Sequence, residues 1–259
     1  MKTVAVLGAN GFLGKIIKER LSKKYLIFSV SRNTLDITNY KQVSDWLENL
    51  KPYAVINCAT AGGKERISDQ SLDDVQNNLS IFLNFYNSSQ YFEKFINVGS
   101  GAEFDKSKNI NLANELDILT AEPKDSYGYS KNTISRLCLL NEKFYTLRLF
   151  GCFDNSEPDF RLFKKFINGE VTKLEDKKFD YFSAKDYCTV VDYVLNNNLT
   201  DRDINCVYQK KYYLSEILSQ LGTVNVTSTS PINYTGNGSK LAQLDIELEG
   251  LQKAIKDYK

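Results

Sequence analysis

The clearest chemistry in this sequence is carried by a tyrosine and a lysine four positions apart. Tyr127 and Lys131 stand in the run Tyr-Gly-Tyr-Ser-Lys, and a spacing of i to i+4 places both side chains on one face of a helix. A free tyrosine has a pKa of about 10, and a neighbouring ammonium group lowers that pKa because it favours the phenolate. Tyr127 is therefore predicted to donate and accept a proton at neutral pH.

A serine comes just after a predicted strand. The mostly apolar run 95–98 is typical of a buried strand, and the sequence Gly-Ser-Gly-Ala follows at 99–102. Ligands of parallel sheets bind at the carboxyl ends of the strands. The hydroxyl of Ser100 is therefore expected at the ligand-binding edge of the sheet, from which the chain continues to the Tyr-Lys pair.

Three glycines follow the first predicted strand, residues 4–7, and open the first predicted helix. Gly8 permits a tight turn, Gly11 lets the backbone approach a pyrophosphate, and Gly14 lets the helix pack closely on the strand. The N-terminus of such a helix also attracts a phosphate. The strand, the turn and the helix together predict a dinucleotide-binding site.

The end of the second predicted strand, residues 26–30, indicates which dinucleotide is bound. An acidic residue here would accept hydrogen bonds from the adenosine 2′-hydroxyl of NAD, but the chain has Ser31 and Arg32. A guanidinium group suits a 2′-phosphate through its charge and its paired donors. NADP(H) is therefore the favoured cofactor, and NAD is the alternative because Asp36 follows a few residues later.

Short apolar runs alternate with helical patterns through the first half of the chain. The predicted strands cover residues 4–7, 26–30, 54–56, 95–98 and 144–150. This alternation predicts an α/β fold with a Rossmann-type doubly wound parallel sheet and helices on both faces. We assign residues 1–150 to the NADP(H)-binding domain, to which 179–200 return, and residues 151–178 and 201–259 to a small C-terminal substrate-binding lobe.

Composition excludes several other classes of protein. The 259 residues carry a net charge of +1, which removes the electrostatic case for binding nucleic acid or an anionic membrane. No apolar run approaches the length of a transmembrane helix. The chain has no histidine, so it lacks Ser-His-Asp and Cys-His nucleophile systems, and no metal site is predicted. Its five widely spaced cysteines are predicted to be reduced, mostly buried thiols of a cytoplasmic protein.

The glycine loop, the Ser100 segment and the Tyr127–Lys131 run together resemble the extended short-chain dehydrogenase/reductase superfamily, whose members act on nucleotide sugars. Further similar segments cover most of the chain, at 36–38, 57–59, 78, 147–151, 180–186 and 248–258. The resemblance implies that Tyr127 is the catalytic acid and base. It also implies that Lys131 activates this tyrosine and binds the nicotinamide ribose, and that Ser100 hydrogen-bonds the substrate oxygen.

The same resemblance implies two sets of binding residues and an assembly. Cofactor contacts are expected from Gly8, Asn10, Gly11, Phe12, Leu13, Gly14, Ser31, Arg32, Asp36, Ile37, Cys58, Ala59, Thr60, Asn78, Tyr127, Lys131 and Phe150. Substrate contacts are expected from Ser100, Gly101, Ala102 and Tyr127, with Arg161 and Tyr181 as candidates for the diphosphate or the base. Family members are often dimers through the helix that carries the Tyr-Lys pair, so a homodimer is the candidate assembly.

The chain also departs from the family pattern. Gly99 stands where a serine or threonine is usual, and Phe179 stands where an arginine often precedes Asp180. The chain is short for the extended branch of the superfamily, which implies a reduced substrate lobe.

The residues after Ser100 separate the reactions of the family. A 4,6-dehydratase carries Asp-Glu directly after the catalytic hydroxyl residue, whereas Gly101 and Ala102 fill those positions here, and Glu103 is attributed to strand-end packing. An epimerase-reductase of the fucose-synthase type uses a cysteine at the position of Ala102 and a histidine, which this chain lacks. NADPH-dependent reduction of a nucleotide-linked 4-keto or 4-keto-6-deoxy sugar is therefore the favoured function. The alternatives are an NAD-dependent nucleotide-sugar 4-epimerase and, more remotely, a non-catalytic NADP(H)-binding redox sensor.

Overall fold

The computed structural model describes residues 1–61 and 72–258 of the chain. Its strands are β1 (Thr3–Leu7), β2 (Leu26–Val30), β3 (Ala54–Asn57), β4 (Lys94–Ser100), β5 (Ile110–Ala113), β6 (Phe144–Leu149), β7 (Gly151–Phe153), β8 (Leu174–Asp176), β9 (Tyr181–Ser183), β10 (Asp203–Asn205), β11 (Val226–Thr229) and β12 (Tyr234–Gly236). Its α-helices are α1 (Phe12–Leu21), α2 (Tyr40–Leu50), α3 (Leu72–Tyr86), α4 (Ser126–Leu139), α5 (Leu162–Ile167), α6 (Ala184–Asn196), α7 (Leu214–Leu218), α8 (Ser239–Ala242) and α9 (Leu251–Lys256). Short 3-10 helices cover Ser89–Tyr91, Gly101–Phe104 and Glu115–Leu119.

Six parallel strands form the central sheet, in the order β2-β1-β3-β4-β6-β10. The chain passes from β1 to its neighbour β2 and then crosses to β3 on the other side of β1. The carboxyl ends of β1 and β3 therefore flank the switch point, where ligands of doubly wound sheets bind. The predicted Rossmann-type parallel sheet is confirmed.

Two helical layers cover the sheet because successive side chains of a strand point to opposite faces. Val4 and Val6 of β1 pack in one apolar cluster with side chains of α1 and α6. Ala5 and Leu7 pack in another with side chains of α2, α3 and α4. This second cluster holds the adjacent rings of Phe95 and Phe144, which are register partners on β4 and β6 with centroids 4.8 Å apart.

The remaining strands form three short parallel pairs outside the sheet: β7 with β9, β8 with β11, and β5 with β12. Buried residues of β7, β8 and β9 pack in a separate apolar cluster with Phe163 and Ile255. Buried residues of β5 and β12 pack in another cluster with Phe104 and Phe150. Strand β5 falls within residues 1–150 but pairs with β12. Strand β10 falls within 201–259 but pairs with β6 at the edge of the central sheet. Strand pairing therefore does not follow the predicted domain boundaries exclusively, and the division into a cofactor domain and a substrate lobe stays a prediction.

The predicted boundaries of β2 agree with the structure, and those of the other four predicted strands differ by one or two residues at one or both ends. The strand predicted at 95–98 continues to Ser100, and the strand predicted at 144–150 ends at Leu149. All five cysteines are free thiols, four of them buried. Within the part of the chain that the structure describes, no helix is long and apolar enough to cross a membrane.

Candidate active site

The glycine loop folds as its spacing predicts. Gly8 has a positive φ of 69°, and a Cβ atom there would lie 2.9 Å from the backbone of Ala59, after β3. A Cβ atom on Gly14 would overlap the carbonyl oxygen of Gly8. Asn10 and Gly11 are exposed. Helix α1 begins after Gly11 without a side-chain cap and without an acidic residue in its first turn, so its N-terminal amides suit an anion.

The loop after β2 presents Arg32 on a tight turn. The amide of Ser31 donates to Thr34 Oγ1 at 2.9 Å, and Arg32 is exposed within this turn. Asp36 Oδ1 accepts from the amide of Thr38 at 3.0 Å and from its hydroxyl at 2.6 Å. These hydrogen bonds hold the pKa of Asp36 below its usual range. Asp36 is thus engaged by its own turn, whereas Arg32 faces solvent.

Beside this turn, Ile37 is half-buried against the apolar cluster beneath α2 and α3. Its carbonyl oxygen accepts a hydrogen bond of 2.9 Å from the Asn84 amide of α3. The backbone after Arg32 is therefore held against α3 at Ile37.

The loop after β3 is tied to helix α4 by one buried asparagine. Asn78 Oδ1 accepts from the amide of Ala61 at 2.7 Å and from the hydroxyl of Thr60 at 3.4 Å. Its amide nitrogen donates to Ser130 Oγ at 3.3 Å. Thr60, Cys58 and Ala59 are half-buried at this edge, and burial raises the pKa of the Cys58 thiol to about 12, so that the thiol is protonated at neutral pH.

Ser100 is the last residue of β4 and caps the following 3-10 turn. Its φ of −142° is extended, and its Oγ accepts from the amide of Ala102 at 3.2 Å. The amide of Ser100 donates to Glu103 Oε1 at 2.7 Å. Gly101 and Ala102 form the first residues of the turn and are buried.

Tyr127 and Lys131 lie in the first two turns of α4. The Asp125 carboxylate caps this helix by accepting from the amide of Gly128 at 2.9 Å. Lys131 Nζ donates to the carbonyl of Val98 at 2.8 Å and lies 5.9 Å from the centre of the Tyr127 ring. Both residues therefore share one helix face, as the spacing predicts.

The first turn of α4 packs directly on the turn that follows Ser100. A Cβ atom on Gly128 would lie 2.7 Å from the carbonyl oxygen of Ala102. Asn132 also donates from its side chain to the carbonyl of Glu103 at 2.9 Å. The structure thus brings the serine, tyrosine and lysine segments together at the carboxyl edge of the sheet.

Of the other predicted contacts, Arg161 reaches the glycine loop. Its guanidinium carbon lies 4.9 Å from the centre of the Phe12 ring, and its Nε donates to Glu157 at 3.0 Å. Phe12 and Leu13 are half-buried at the start of α1. The lobe segment 151–178 therefore contacts the predicted cofactor site through this arginine.

Phe150 and Tyr181 are both buried, in different surroundings. Phe150 stacks on Phe104 at 5.8 Å and fills the space above Gly101, where a Cβ atom would lie 2.5 Å from its ring. Tyr181 packs among the rings of Phe153, Phe163 and Phe179, and burial raises its pKa above its usual range. These contacts place Tyr181 in the apolar cluster of Phe153 and Phe163, and its substrate contact stays a prediction.

Tyr234 is a site neighbour that sequence reasoning missed. A Cβ atom on Gly101 would lie 2.8 Å from the Tyr234 hydroxyl oxygen, and the Tyr234 ring contacts Phe150 and Phe179. The residue stands more than a hundred positions after Gly101 in a short strand without clear periodicity, so the sequence carried no signal for this contact.

These features fit a dinucleotide. The glycine loop leaves open backbone at an uncapped helix N-terminus, and Arg32 supplies an exposed cation at the end of β2. The segments that carry the Ser100 hydroxyl, the Tyr127 phenol and the Lys131 ammonium lie at the same sheet edge, and these are groups of the kinds that can donate or hold a proton. Among residues 1–61 and 72–258, no cluster of acidic or cysteine side chains could hold a metal ion.

The sequence is similar to those of known enzymes. Residues 4–206 match the sequence model of the family described as NAD dependent epimerase/dehydratase. The GDP-L-colitose synthase of Yersinia pseudotuberculosis is 23% identical over 88% of this chain and 86% of that protein.

Two solved structures share the fold. A GDP-mannoheptose C4 reductase from Campylobacter jejuni with NADP bound superposes with a TM-score of 0.79 at 18% identity, over 98% of this chain and 96% of the other. A dTDP-4-dehydrorhamnose reductase from Clostridium acetobutylicum gives a TM-score of 0.79 at 21% identity, over 99% and 98% of the two chains.

Proposed function

This chain belongs to the NAD dependent epimerase/dehydratase family, and on that basis we propose that it reduces the 4-keto group of a nucleotide-linked sugar with NADPH. One observation carries the proposal: the segments of Ser100, Tyr127 and Lys131 converge at the carboxyl edge of a dinucleotide-binding sheet. The structural relatives described as nucleotide-sugar reductases support the same class of substrate.

The loop after β2 supports NADP(H) over NAD. Arg32 is exposed at the position where a 2′-phosphate would bind, and Asp36 is held by Thr38. One solved relative is described with NADP bound. Gly11 and the N-terminal amides of α1 would hold the pyrophosphate, and Lys131 would contact the nicotinamide ribose.

Proton transfer is assigned to the residues of β4 and α4. Bound NADPH supplies the hydride that the carbonyl carbon receives. The Tyr127 hydroxyl donates the proton that converts the carbonyl oxygen into the product hydroxyl, so one hydride and one proton reduce the ketone. Ser100 Oγ accepts from Ala102 N at 3.2 Å, so its own hydrogen can be donated to the substrate oxygen. Lys131, next to the Tyr127 ring, stabilises the phenolate that remains.

The side chains near Ser100 favour simple reduction over the epimerase-reductase reaction, which uses a cysteine and a histidine to move protons. Ala102 has no proton to transfer, and the chain contains no histidine. Glu103, which would lie close to the position of a dehydratase acid, is fully buried and paired with Arg148 at 2.6 Å. A buried and paired carboxylate suits a structural role better than proton exchange with a sugar.

Residues 151–178 and 201–259 are proposed to bind the nucleotide sugar, with Arg161 near the diphosphate because it contacts Phe12 of the cofactor loop. A homodimer through α4 and a cytoplasmic location stay predictions. Sedimentation or light scattering of the purified chain measures the first.

The test is a panel of GDP-, dTDP- and UDP-linked 4-keto-6-deoxyhexoses, assayed by loss of NADPH absorbance. We expect turnover with at least one of them and a preference for NADPH over NADH. Tightly retained NAD, together with interconversion of nucleotide sugars at C4 without net NADPH consumption, would show a 4-epimerase instead. Binding of NADP(H) without turnover on any sugar would indicate the redox-sensor alternative.

A further inference from the structure

Glu103 is a fully buried carboxylate in contact with the residue assigned to bind the substrate oxygen. Its Oε1 accepts the backbone amide of Ser100 at 2.7 Å, and its Oε2 lies 2.6 Å from Arg148 Nε. A buried charge is costly unless it is paired and hydrogen-bonded. The pair therefore needs a fixed geometry, and Ser100 is part of that geometry.

Strand β6 carries the arginine, and β10 supplies two further partners for its side chain. Arg148 is fully buried, its Nη1 donates to Asn205 Oδ1 at 3.0 Å, and the same nitrogen lies 2.9 Å from Asp203 Oδ1. Asn205 and Arg148 are register partners in the central sheet. The Glu103 carboxylate therefore bonds to an arginine side chain that is itself bonded to residues of the central sheet.

Glu103 is also tied to the helix of the Tyr-Lys pair. Asn132, which follows Lys131, donates to the carbonyl oxygen of Glu103 at 2.9 Å. One residue therefore contacts the serine through its side chain and the catalytic helix through its backbone.

Gly99 makes room for this carboxylate. A Cβ atom at position 99 would lie 3.0 Å from Glu103 Oε1 and 2.7 Å from Thr146 Cγ2. A side chain at position 99 would crowd both the Thr146 methyl group and the Glu103 carboxylate, so the glycine found where the family usually has serine or threonine leaves room for both.

We propose that Glu103, held by Arg148, is a positioning residue that fixes the backbone of Ser100 and thereby the direction of its hydroxyl towards the substrate. The 3-10 turn then directs Ala102 N to Ser100 Oγ, which orients the serine hydrogen outward. This inference rests on the proposed function and assigns to it a residue that does not touch the substrate.

The test is a double-mutant cycle between Glu103→Gln and Ser100→Ala. The substrate is whichever of the GDP-linked and dTDP-linked 4-keto-6-deoxyhexoses gives the higher turnover with the wild type. We expect Glu103→Gln to lower kcat roughly 10-fold or more, since small misplacements of a reacting group are costly, while the KM for NADPH changes less than about 2-fold. In the Ser100→Ala background, the same change should alter kcat by less than about 2-fold.

Glu115→Gln is the matched control. Glu115 is also a buried carboxylate of this cluster, and its Oε1 accepts the amide of Asn205 at 3.0 Å. We expect it to lower the melting temperature as Glu103→Gln does but to leave kcat within about 2-fold of wild type, because its carboxylate bonds to β10 and not to Ser100.

An equal loss of kcat from Glu103→Gln in both backgrounds overturns the inference, as does a wild-type kcat for this variant. Full turnover by Ser100→Ala would contradict the proposed catalytic role of the serine. That result is distinguishable from the two results that overturn the role of Glu103. If circular dichroism shows that Glu103→Gln is unfolded, Glu103→Asp replaces it in the same cycle. That variant keeps the charge, but its side chain is too short to reach both Ser100 and Arg148.

Discussion

At the scale of single residues, Lys131 joins the two segments that carry the proposed chemistry. Its ammonium donates to the carbonyl of Val98 at 2.8 Å and lies 5.9 Å from the centre of the Tyr127 ring. Val98 stands two residues before Ser100 on β4. The position of the serine relative to the tyrosine is therefore set by one strand, one helix and the lysine between them.

Replacing Tyr127 with phenylalanine removes the proposed proton donor and keeps the ring. We expect kcat to fall roughly 10²- to 10⁴-fold, the usual contribution of a positioned acid, with little change in NADPH affinity measured by fluorescence titration. Tyr129→Phe is the matched control, because Tyr129 lies in the same turn but is 52% exposed. Equal activity of the two variants would contradict the role of Tyr127.

Replacing Arg32 with alanine tests the choice of cofactor. A hydrogen bond to a charged group contributes about 1.5–3 kcal/mol, so we expect the KM for NADPH to rise roughly 10- to 100-fold. The KM for NADH should change little because NADH has no 2′-phosphate. Arg20→Ala, at the far end of α1, serves as the charge control. A similar change of KM for both cofactors would argue against a 2′-phosphate contact.

At the scale of elements, the cofactor site depends on how closely α1 approaches β1. Gly14 packs on the carbonyl of Gly8, and Gly8 packs on the backbone of Ala59. Three chain segments meet here with no room for a side chain. The glycines therefore set the distance between the helix N-terminus and the switch point of the sheet.

Replacing Gly14 with alanine should push α1 away from β1. We expect a loss of about 1–3 kcal/mol in the free energy of unfolding, as for other overpacked sites, and weaker NADPH binding. Urea unfolding and cofactor titration measure the two effects. In Gly222→Ala the new Cβ would lie 3.4 Å from Phe166, an ordinary contact, and that variant should be unchanged or stabilised by up to about 1 kcal/mol. Equal stability of both variants would contradict the packing argument.

At the scale of the whole molecule, the ion pair of Asp180 and Lys211 connects segments that lie far apart in the second half of the chain. Asp180 Oδ2 accepts from Lys211 Nζ at 2.7 Å and from the amide of Gly236 on β12 at 2.8 Å. Burial raises the pKa of Asp180 from 3.8 to about 6, against the effect of Lys211. Strand β12 also carries Tyr234, which reaches Gly101, so this pair links the lobe to the candidate active site.

The stability of the chain should therefore depend on pH through Asp180. The pKa of Asp180 is higher in the folded chain than in the unfolded chain. Its contribution to the free energy of unfolding is therefore fully present below about pH 4 and is lost as the pH rises through about 6. We expect the free energy of unfolding of wild type, minus that of Asp180→Asn, to fall by up to about 3 kcal/mol between pH 4 and 7. Urea unfolding at each pH measures it.

Asp201→Asn is the control for this experiment, because Asp201 pairs with Lys240 at 2.8 Å but is 57% exposed. Its difference from wild type should vary much less over the same range of pH, since exposed pairs contribute little. A difference between wild type and Asp180→Asn that is constant, or that grows with pH, would show that Asp180 has no raised pKa in the folded chain.

From the sequence alone we predict the parallel sheet, the glycine loop and the shared face of Tyr127 and Lys131. Each of these is indicated by a local pattern: the alternation of apolar runs with helical segments, the conformations open to glycine, and the helical spacing of i to i+4. Local patterns of this kind are visible without the fold, and for this reason the bounds of β2 were correct.

Which residues from distant parts of the chain meet depends on how the chain folds. Arg148 and Glu103 lie 45 positions apart and form their pair because β6 lies beside β4, and Tyr234 reaches Gly101 because β12 pairs with β5. A buried charge needs a partner, so Arg148 within a largely apolar strand indicates that the fold supplies an acidic or polar partner. Its identity depends on strand order, which is a property of the folded chain, and that order makes Glu103, the residue that also caps the turn after Ser100, the partner of Arg148.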